Sequence, residues 1–225
     1  MSQTTTLKLL AATGLSLMLA ASAAPASARE KTVPAEKVFV YLDRFLKVPA
    51  QERSRMRLRY VLRSEGKSMG DVKVSLVEAN GATTALPVRD DGEFERLPTL
   101  TQLNGKAKLV FDVPAERKFG ISMTPAPVLR LAQDYDAREL ALTVSESNAA
   151  MRKAAGPALG LMVPKLPWIG FIGAQSGQVV HGDGRIVPLE IVQGVPVFYP
   201  EAHKGAARVK LSRTPTRVAF DDGKK

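Results

Sequence analysis

The sequence contains no cysteine, and histidine and aromatic residues are scarce. Its 225 residues include two histidines, one tryptophan, four tyrosines and eight phenylalanines. The lack of cysteine excludes thiol nucleophiles, disulfide bonds, Cys-ligated zinc and iron–sulfur clusters. The two histidines, His181 and His203, are too few for a His-rich metal site and do not form a zinc-binding motif. We therefore expect a protein without a bound metal or cofactor.

Acidic residues are outnumbered by basic ones. There are 22 Asp and Glu residues against 32 Lys and Arg residues, which makes the formal net charge +10. Apolar residues make up 45% of the chain and charged residues 24%, proportions typical of a folded globular protein. The positive charge favours anionic partners in general without identifying one.

The first 28 residues have the three regions of a secretory signal peptide. Lys8 carries the only charge before Arg29, and residues 9–24 are almost all small or apolar. Small residues at Ala26 and Ala28 then predict cleavage between Ala28 and Arg29. Because the apolar run ends in this processing site, we expect no transmembrane segment after cleavage. A cysteine-free exported protein suits a bacterial periplasm, so the mature chain is predicted to be periplasmic or secreted.

Short segments with period-two hydrophobicity dominate the mature chain. Over residues 55–63 apolar residues alternate mostly with arginines, which predicts a half-buried strand with a basic outer face. The turn dipeptides Asn80-Gly81, Asp91-Gly92 and Asn104-Gly105 separate further strands at intervals of about ten residues. We therefore expect a single α+β domain over residues 29–225, mostly antiparallel β in a sandwich or meander.

Two helices are predicted beside these strands. Apolar residues over 34–48 recur three and four positions apart, which indicates an N-terminal amphipathic helix. A further helix is expected over 146–155, because Ser145 and Ser147 are good N-caps and a glycine–proline pair follows. Residues 135–145 fit either a strand or a helix, and both alternatives stay open.

The sequence contains no complete catalytic constellation. Ser176 lies in Gly-Ala-Gln-Ser-Gly, which has alanine where the Gly-x-Ser-x-Gly nucleophile elbow needs glycine. The bases available to it, His181 and His203, both lie in predicted loops. The carboxylates of Asp134 and Asp136 would suit glycoside hydrolysis only if they faced each other across a cleft. We expect no enzymatic activity, and the alternative is a periplasmic hydrolase that uses Ser176 or an acidic pair.

Two acidic turns are candidates for calcium binding. They are Asp90-Asp91-Gly92 and His181-Gly182-Asp183-Gly184, and neither belongs to an acidic loop with a closing glutamate. Asp and Gly favour tight turns, so we expect hairpin turns there instead of metal sites. The sequence has no phosphate-binding or dinucleotide-binding motif, and we expect no nucleic-acid partner for an exported protein.

Basic residues alternate with apolar ones in several predicted strands. If the apolar residues face the core, the basic residues form an outward sheet face whose side chains, spaced by about 6.6 Å, match repeated anionic groups. The predicted anion-binding residues are Arg55, Arg57, Arg59, Lys73, Lys106, Lys108, Arg208 and Lys210. The alternative is a solvated face that discourages pairing between sheet edges.

The Pro-rich segment 156–177 carries large apolar residues without a period that would bury them. Trp168, Ile169, Phe171 and Ile172 are expected to form an apolar loop that contacts a membrane interface or an apolar ligand. The alternative is a loop packed on the core, because large apolar residues are usually buried.

These features together predict a non-enzymatic binding or structural protein of the cell envelope. It would contact an anionic envelope component, or an envelope protein, through the basic sheet face and the apolar loop. A role as an assembly partner in an envelope complex is the further alternative, which an exposed apolar patch would favour. The oligomeric state stays open.

The signal peptide can be tested by expressing the full chain in a bacterium and measuring the mass of the exported product. We expect a product that begins at Arg29. An Ala28→Gln variant should keep its leader because signal peptidase requires a small residue there, whereas Ser27→Gln should be processed normally. An exported wild-type product that retains residues 1–28 would contradict the prediction.

Overall fold

A computed structural model describes residues 30–113 and 117–220. The predicted signal peptide and its cleavage site, Ala28 and Arg29, lie outside the described residues. Within the described residues the chain is β-rich, as predicted, with four antiparallel sheets and four α-helices. No helix among them is both long enough and apolar enough to cross a bilayer.

The first two sheets are built from residues before Val128. The elements are β1 (Lys31–Pro34), α1 (Ala35–Val38), α2 (Leu42–Lys47), a 3₁₀ helix (Ala50–Arg53), β2 (Met56–Ser64), β3 (Lys67–Ser68), β4 (Val74–Val77), β5 (Thr83–Ala85), α3 (Leu100–Asn104), β6 (Lys108–Phe111) and β7 (Gly120–Pro127). The sheet orders are β1-β6-β4-β5 and β3-β2-β7.

The other two sheets follow in the remainder of the chain. The elements are β8 (Asp134–Asp136), α4 (Ala137–Ala155), a 3₁₀ helix (Gly160–Met162), β9 (Ile169–Ile172), β10 (Gly177–His181), β11 (Ile186–Pro188), β12 (Glu190–Val192), β13 (Val195–Phe198), β14 (Ala206–Leu211) and β15 (Arg217–Ala219). The orders are β11-β10-β14-β8 and β12-β13-β9-β15. Because many neighbouring strands are not consecutive in the chain, the meander prediction is wrong.

The single helix predicted over residues 34–48 is wrong, because the structure has two short helices there. They are separated at Tyr41, whose φ of 67° is left-handed and costs a non-glycine residue about 1–2 kcal/mol. The buried ring of Phe39 packs edge-on against the rings of Tyr60 and Phe94. The hydroxyl of Tyr60 also donates a hydrogen bond to the carbonyl of Val40 at 2.7 Å. These tertiary contacts hold the break in place against the helical pattern.

The long helix α4 resolves the ambiguity over residues 135–145. A short strand ends at Asp136, whose carboxylate accepts hydrogen bonds from the backbone N–H groups of Arg138 and Glu139 and so caps the helix. The predicted start near Ser145 and Ser147 is therefore wrong, because the helix is already two turns long at that point. Its end before Gly156 is confirmed.

The turn dipeptides are largely confirmed. Asn80-Gly81 joins β4 and β5, which pair antiparallel, and Asp91-Gly92 forms the tip of a hairpin over residues 88–94. Asn104-Gly105 instead ends α3, a helix that was not predicted. A capping box between Thr99 and Gln102 begins that helix.

One continuous core joins the residues of all four sheets. Tyr60 and Phe111 from the first two sheets, Leu140 from α4 and Phe171 from β9 are all fully buried within it. Helix α4 packs against both α2 and β14. This packing brings segments that are distant in sequence against both faces of β2 and β7.

Two glycines in hairpin turns allow a matched test of the 88–94 hairpin. A Cβ added to Gly92 would lie 2.6 Å from the carbonyl oxygen of Leu62, whereas one added to Gly81 would meet no atom within 4 Å. Both glycines have positive φ, so Gly81→Ala should lower the free energy of unfolding by about 1–2 kcal/mol. Gly92→Ala should lower it by at least about 1 kcal/mol more, because the hairpin must also move. Equal losses in urea unfolding would contradict this packing.

Candidate functional site

The ribbon formed by β2 and β7 has two chemically different faces. Met56, Leu58 and Tyr60 on β2 are buried on one side, so Arg57 and Arg59 point to the other. The two strands pair along eight residues of each, which extends both faces across the ribbon. An apolar cavity lies on one side of it and a cluster of charged residues on the other.

The apolar cavity, which we call the apolar groove, has a volume of about 350 Å³. Its lining residues come from four parts of the chain: Tyr41, Arg44 and Phe45; Leu58, Met123 and Pro125; Met151, Ala154 and Ala155; and Leu159, Met162, Val163 and Pro164. Arg44 is the one charged residue among these described lining residues. The groove therefore offers an apolar ligand an apolar lining with a single cationic group.

The mouth of the groove carries unusually exposed apolar side chains. Met162 is 77% exposed and its neighbour Leu161 is 93% exposed, and both lie in the 3₁₀ helix that follows α4. Leu159 and Tyr41 are about half exposed. Scattered exposed apolar residues are ordinary, but a group of them around an apolar cavity marks a binding surface.

On the opposite face of the ribbon, Glu93 is buried among three arginines. Its carboxylate accepts hydrogen bonds from Arg57, from Nε of Arg59 at 2.6 Å and from Nη2 of Arg89 at 2.7 Å, and its side chain is 2% exposed. Burial raises the pKa of Glu93, but the hydrogen bonds and charges of Arg57 and Arg59 outweigh it and lower the pKa below its ordinary value. Glu93 is therefore held as an anion.

The same cluster attaches the 88–94 hairpin to β2. Glu93 forms an antiparallel bridge with Val61, and the backbone N–H of Leu62 donates to the carbonyl of Gly92 at 2.8 Å. Asp91 accepts a hydrogen bond from the backbone N–H of Glu93 and pairs with Arg89. Asp91 thus serves the turn, as predicted, and its carboxylate is engaged by protein groups.

The eight predicted anion-binding residues do not form one sheet face, so that geometric prediction is wrong. They lie in or beside three different sheets, those of β2, of β4 with β6, and of β14. Arg57 and Arg59 pair with Glu93, Arg55 pairs with Glu139 and Glu146, and Arg208 pairs with Asp134. The lysines are exposed, at Lys73, Lys106, Lys108 and Lys210. That these residues bind anions stays a prediction.

The predicted apolar loop around Trp168 is a strand of the core. Ile169 and Phe171 are fully buried in β9, which lies between β13 and β15, and Ile172 is half-buried at its end. The indole ring of Trp168 packs edge-on against the ring of Tyr199 with 5.0 Å between centroids. The loop geometry is therefore wrong, because pairing on both edges leaves β9 little exposed surface. The exposed apolar residues of this Pro-rich segment lie earlier, at Leu161 and Met162.

The serine hydrolase geometry is also wrong. Ser176 directly precedes β10 and His181 ends it, which separates the two residues by about 16 Å. The ring of His203 lies 6.4 Å from that of His181, at the same distant end of the strand. Burial, followed by the charges of His181 and Arg185, lowers the pKa of His203. The two imidazoles therefore neighbour each other and not the serine.

The acidic pair and the second turn have structural roles. Asp134 pairs with Arg208 at 2.9 Å, and Asp136 caps α4. In the turn after His181, the carboxylate of Asp183 accepts a hydrogen bond from the backbone N–H of Arg185, as expected for a turn. Among the described residues no group of three or more His, Asp or Glu side chains is placed to hold a metal ion.

Comparison of the chain with protein-family models, curated proteins and solved structures found no match. Sequence patterns had indicated Arg57 and Arg59 as functional candidates, but neither the groove nor the partners of these arginines follow from a local pattern. The run of apolar residues over 159–163 was the sequence signal available for this part of the groove.

Replacing Glu93 by Gln should destabilise the fold strongly. The change leaves three guanidinium groups without their buried counter-charge, which costs about 3–5 kcal/mol in the free energy of unfolding at neutral pH. Because the folded-state pKa of Glu93 is lowered, its stabilisation is complete above its unfolded pKa of about 4.3 and is lost as pH falls through the lower folded value. The difference between wild type and variant in urea unfolding should therefore shrink in acid.

Glu52→Gln is the matched control for this measurement. Glu52 pairs with Lys153 on the surface, where both side chains are about half exposed, so its loss should cost less than about 1 kcal/mol. A Glu93→Gln variant no less stable than Glu52→Gln would contradict the role assigned to the buried carboxylate.

Proposed function

We propose that the protein is exported to the periplasm and acts at the cell envelope as a non-enzymatic binding protein for an anionic amphiphile. The apolar chain of the ligand lies in the apolar groove. The observation that carries this proposal is the groove itself, a cavity of about 350 Å³ lined almost entirely by apolar side chains, of which Leu159 and Met162 are exposed.

The size and lining of the groove suit a single acyl chain. Cavities of about 300–1,000 Å³ are typical of small-molecule sites, and this one is at the lower end. Burial of apolar surface contributes about 25 cal/mol per Å² removed from water. An acyl chain that covers Met123 and Met151 inside the groove, and Met162 at its mouth, buries apolar surface of both the ligand and the protein, and both areas contribute to the binding free energy.

Arg44 favours an anionic headgroup over a neutral one. It lies on α2 at the edge of the groove, is exposed, and forms no ion pair with the described residues. A guanidinium group can donate two parallel hydrogen bonds to a carboxylate or phosphate. Anionic amphiphiles are abundant at membrane surfaces, which the exported protein would approach readily, because removal of residues 1–28 takes away only the charge of Lys8 and leaves a formal net charge of +9.

The experiment measures binding of laurate, and of uncharged lauryl alcohol, by displacement of fluorescent anilinonaphthalene sulfonate from the purified protein. Ala154→Trp fills the groove from α4 and should weaken both ligands at least about tenfold. Arg44→Ser should weaken laurate by about two- to fivefold, the range of an exposed ion pair, and leave lauryl alcohol unchanged.

Lys47→Ser is the matched control for Arg44. Lys47 lies one turn further along α2, where it pairs with Asp43 on the surface outside the groove. It should bind both ligands like the wild type, and all three variants should keep the wild-type urea midpoint. Laurate binding that Ala154→Trp does not weaken would overturn the groove as the site. It would favour the envelope-assembly alternative, with a protein partner on exposed Leu161.

A further inference from the structure

The arginine side of the β2–β7 ribbon contains a second cavity, which we call the arginine cleft. Its volume is about 440 Å³, and it lies between the 88–94 hairpin, the end of β7 and the start of β15. Its charged lining residues are Arg57, Arg59, Arg89, Arg217, Asp91 and Glu93. Four guanidinium groups against two carboxylates leave two positive charges uncompensated inside the cleft.

Glu93 and Asp91 hold three of these arginines in place, but they do not use all of the N–H donors of the arginine side chains. Each guanidinium group has five N–H donors. Arg57 gives one hydrogen bond to Glu93 among the described residues, and its side chain is 51% exposed. Arg89 reaches both carboxylates and is also partly exposed. The guanidinium groups are thus held in place before a ligand arrives, which reduces the ordering cost of binding.

Arg217 adds an independent observation from the opposite wall. It lies at the start of β15, paired with Ile172 of β9, and so approaches the cleft from a different sheet than Arg57 and Arg59. Its Nε is buried and has no hydrogen-bond partner among the described residues. Because this Nε has almost no accessible surface, a ligand in the cleft would meet Arg217 through its terminal Nη groups.

The cleft also has an apolar wall. Val128 and Leu131 line it, and each is about half exposed, although large apolar side chains are more often buried. They lie in the segment that follows β7, beside the arginines. The two walls together suit a ligand that has a charged end and an apolar body.

We propose that the arginine cleft binds a small organic oxyanion, with its carboxylate or phosphate group among Arg57, Arg89 and Arg217 and its apolar body on Val128 and Leu131. The site is separate from the apolar groove, because the β2–β7 ribbon lies between them. The ligand is held by charge-assisted hydrogen bonds to groups that the buried Glu93 has already oriented.

The experiment is isothermal titration of the purified protein with benzoate, phenyl phosphate, inorganic phosphate and neutral benzyl alcohol. We expect one of the two organic anions to bind more tightly than inorganic phosphate, and benzyl alcohol not to bind. Preference for benzoate identifies a carboxylate ligand, and preference for phenyl phosphate identifies a phosphate ester. Arg217→Gln should weaken the preferred anion at least about tenfold. Leu131→Ser should weaken it while leaving inorganic phosphate unchanged.

Two further variants separate this site from general charge and from the groove. Arg138→Gln removes an exposed cation of α4 outside the cleft and should change affinity less than about twofold. Ala154→Trp, which fills the apolar groove, should leave binding of the preferred anion unchanged. The proposal is overturned if neither organic anion binds, if Arg138→Gln weakens binding as much as Arg217→Gln, or if inorganic phosphate binds as tightly as the organic anions.

Discussion

The ion pairs of the buried Glu93 carboxylate are the interaction that holds the 88–94 hairpin and three arginines against the β2–β7 ribbon. The carboxylate compensates Arg57, Arg59 and Arg89, which would otherwise crowd like charges against a sheet packed inside the molecule. Removing one partner of such a cluster leaves a buried charge uncompensated, so the hairpin that carries Glu93 is held firmly against β2. That hairpin forms one wall of the arginine cleft. The ion pairs of Glu93 that hold the hairpin in place therefore also orient the guanidinium groups that we propose bind an anion.

The ribbon separates two environments of opposite chemistry. Because successive side chains of a strand point to opposite sides, Leu58 lines the apolar groove while its neighbours Arg57 and Arg59 line the cleft. The neighbouring strand continues the pattern with Pro125 on the groove side and Ala126 on the cleft side. A strand of nine residues therefore supplies both proposed sites, and a shift of register by one residue would exchange their lining residues.

The groove owes its shape to two interruptions of helical structure. After α1 ends at Val38, the left-handed backbone at Tyr41 redirects the chain into α2, so that Tyr41, Arg44 and Phe45 all reach the groove. Strained backbone of this kind persists where surrounding contacts hold it, and it is frequent at binding sites. At the other end, Gly156 has a φ of 79° and stops α4, after which the chain returns to the groove, where Leu159 and Met162 line it and are exposed.

The features that the sequence by itself determined are those that depend on short, local sequence patterns. Period-two alternation predicted β2 and its basic outer positions, and the turn dipeptides predicted the β4–β5 and 88–94 hairpins. Each of these depends on residues within a few positions of one another. The partners of Arg57 and Arg59, the break at Tyr41 and the burial of Ile169 and Phe171 were decided only by tertiary structure. Arg57 and Glu93 lie 36 positions apart, and Arg55 and Glu146 lie 91 apart. The way in which distant segments pack decides which charged residues form ion pairs. It also decides which apolar strand is paired along both of its edges, because burial and ion pairing are properties of the assembled core.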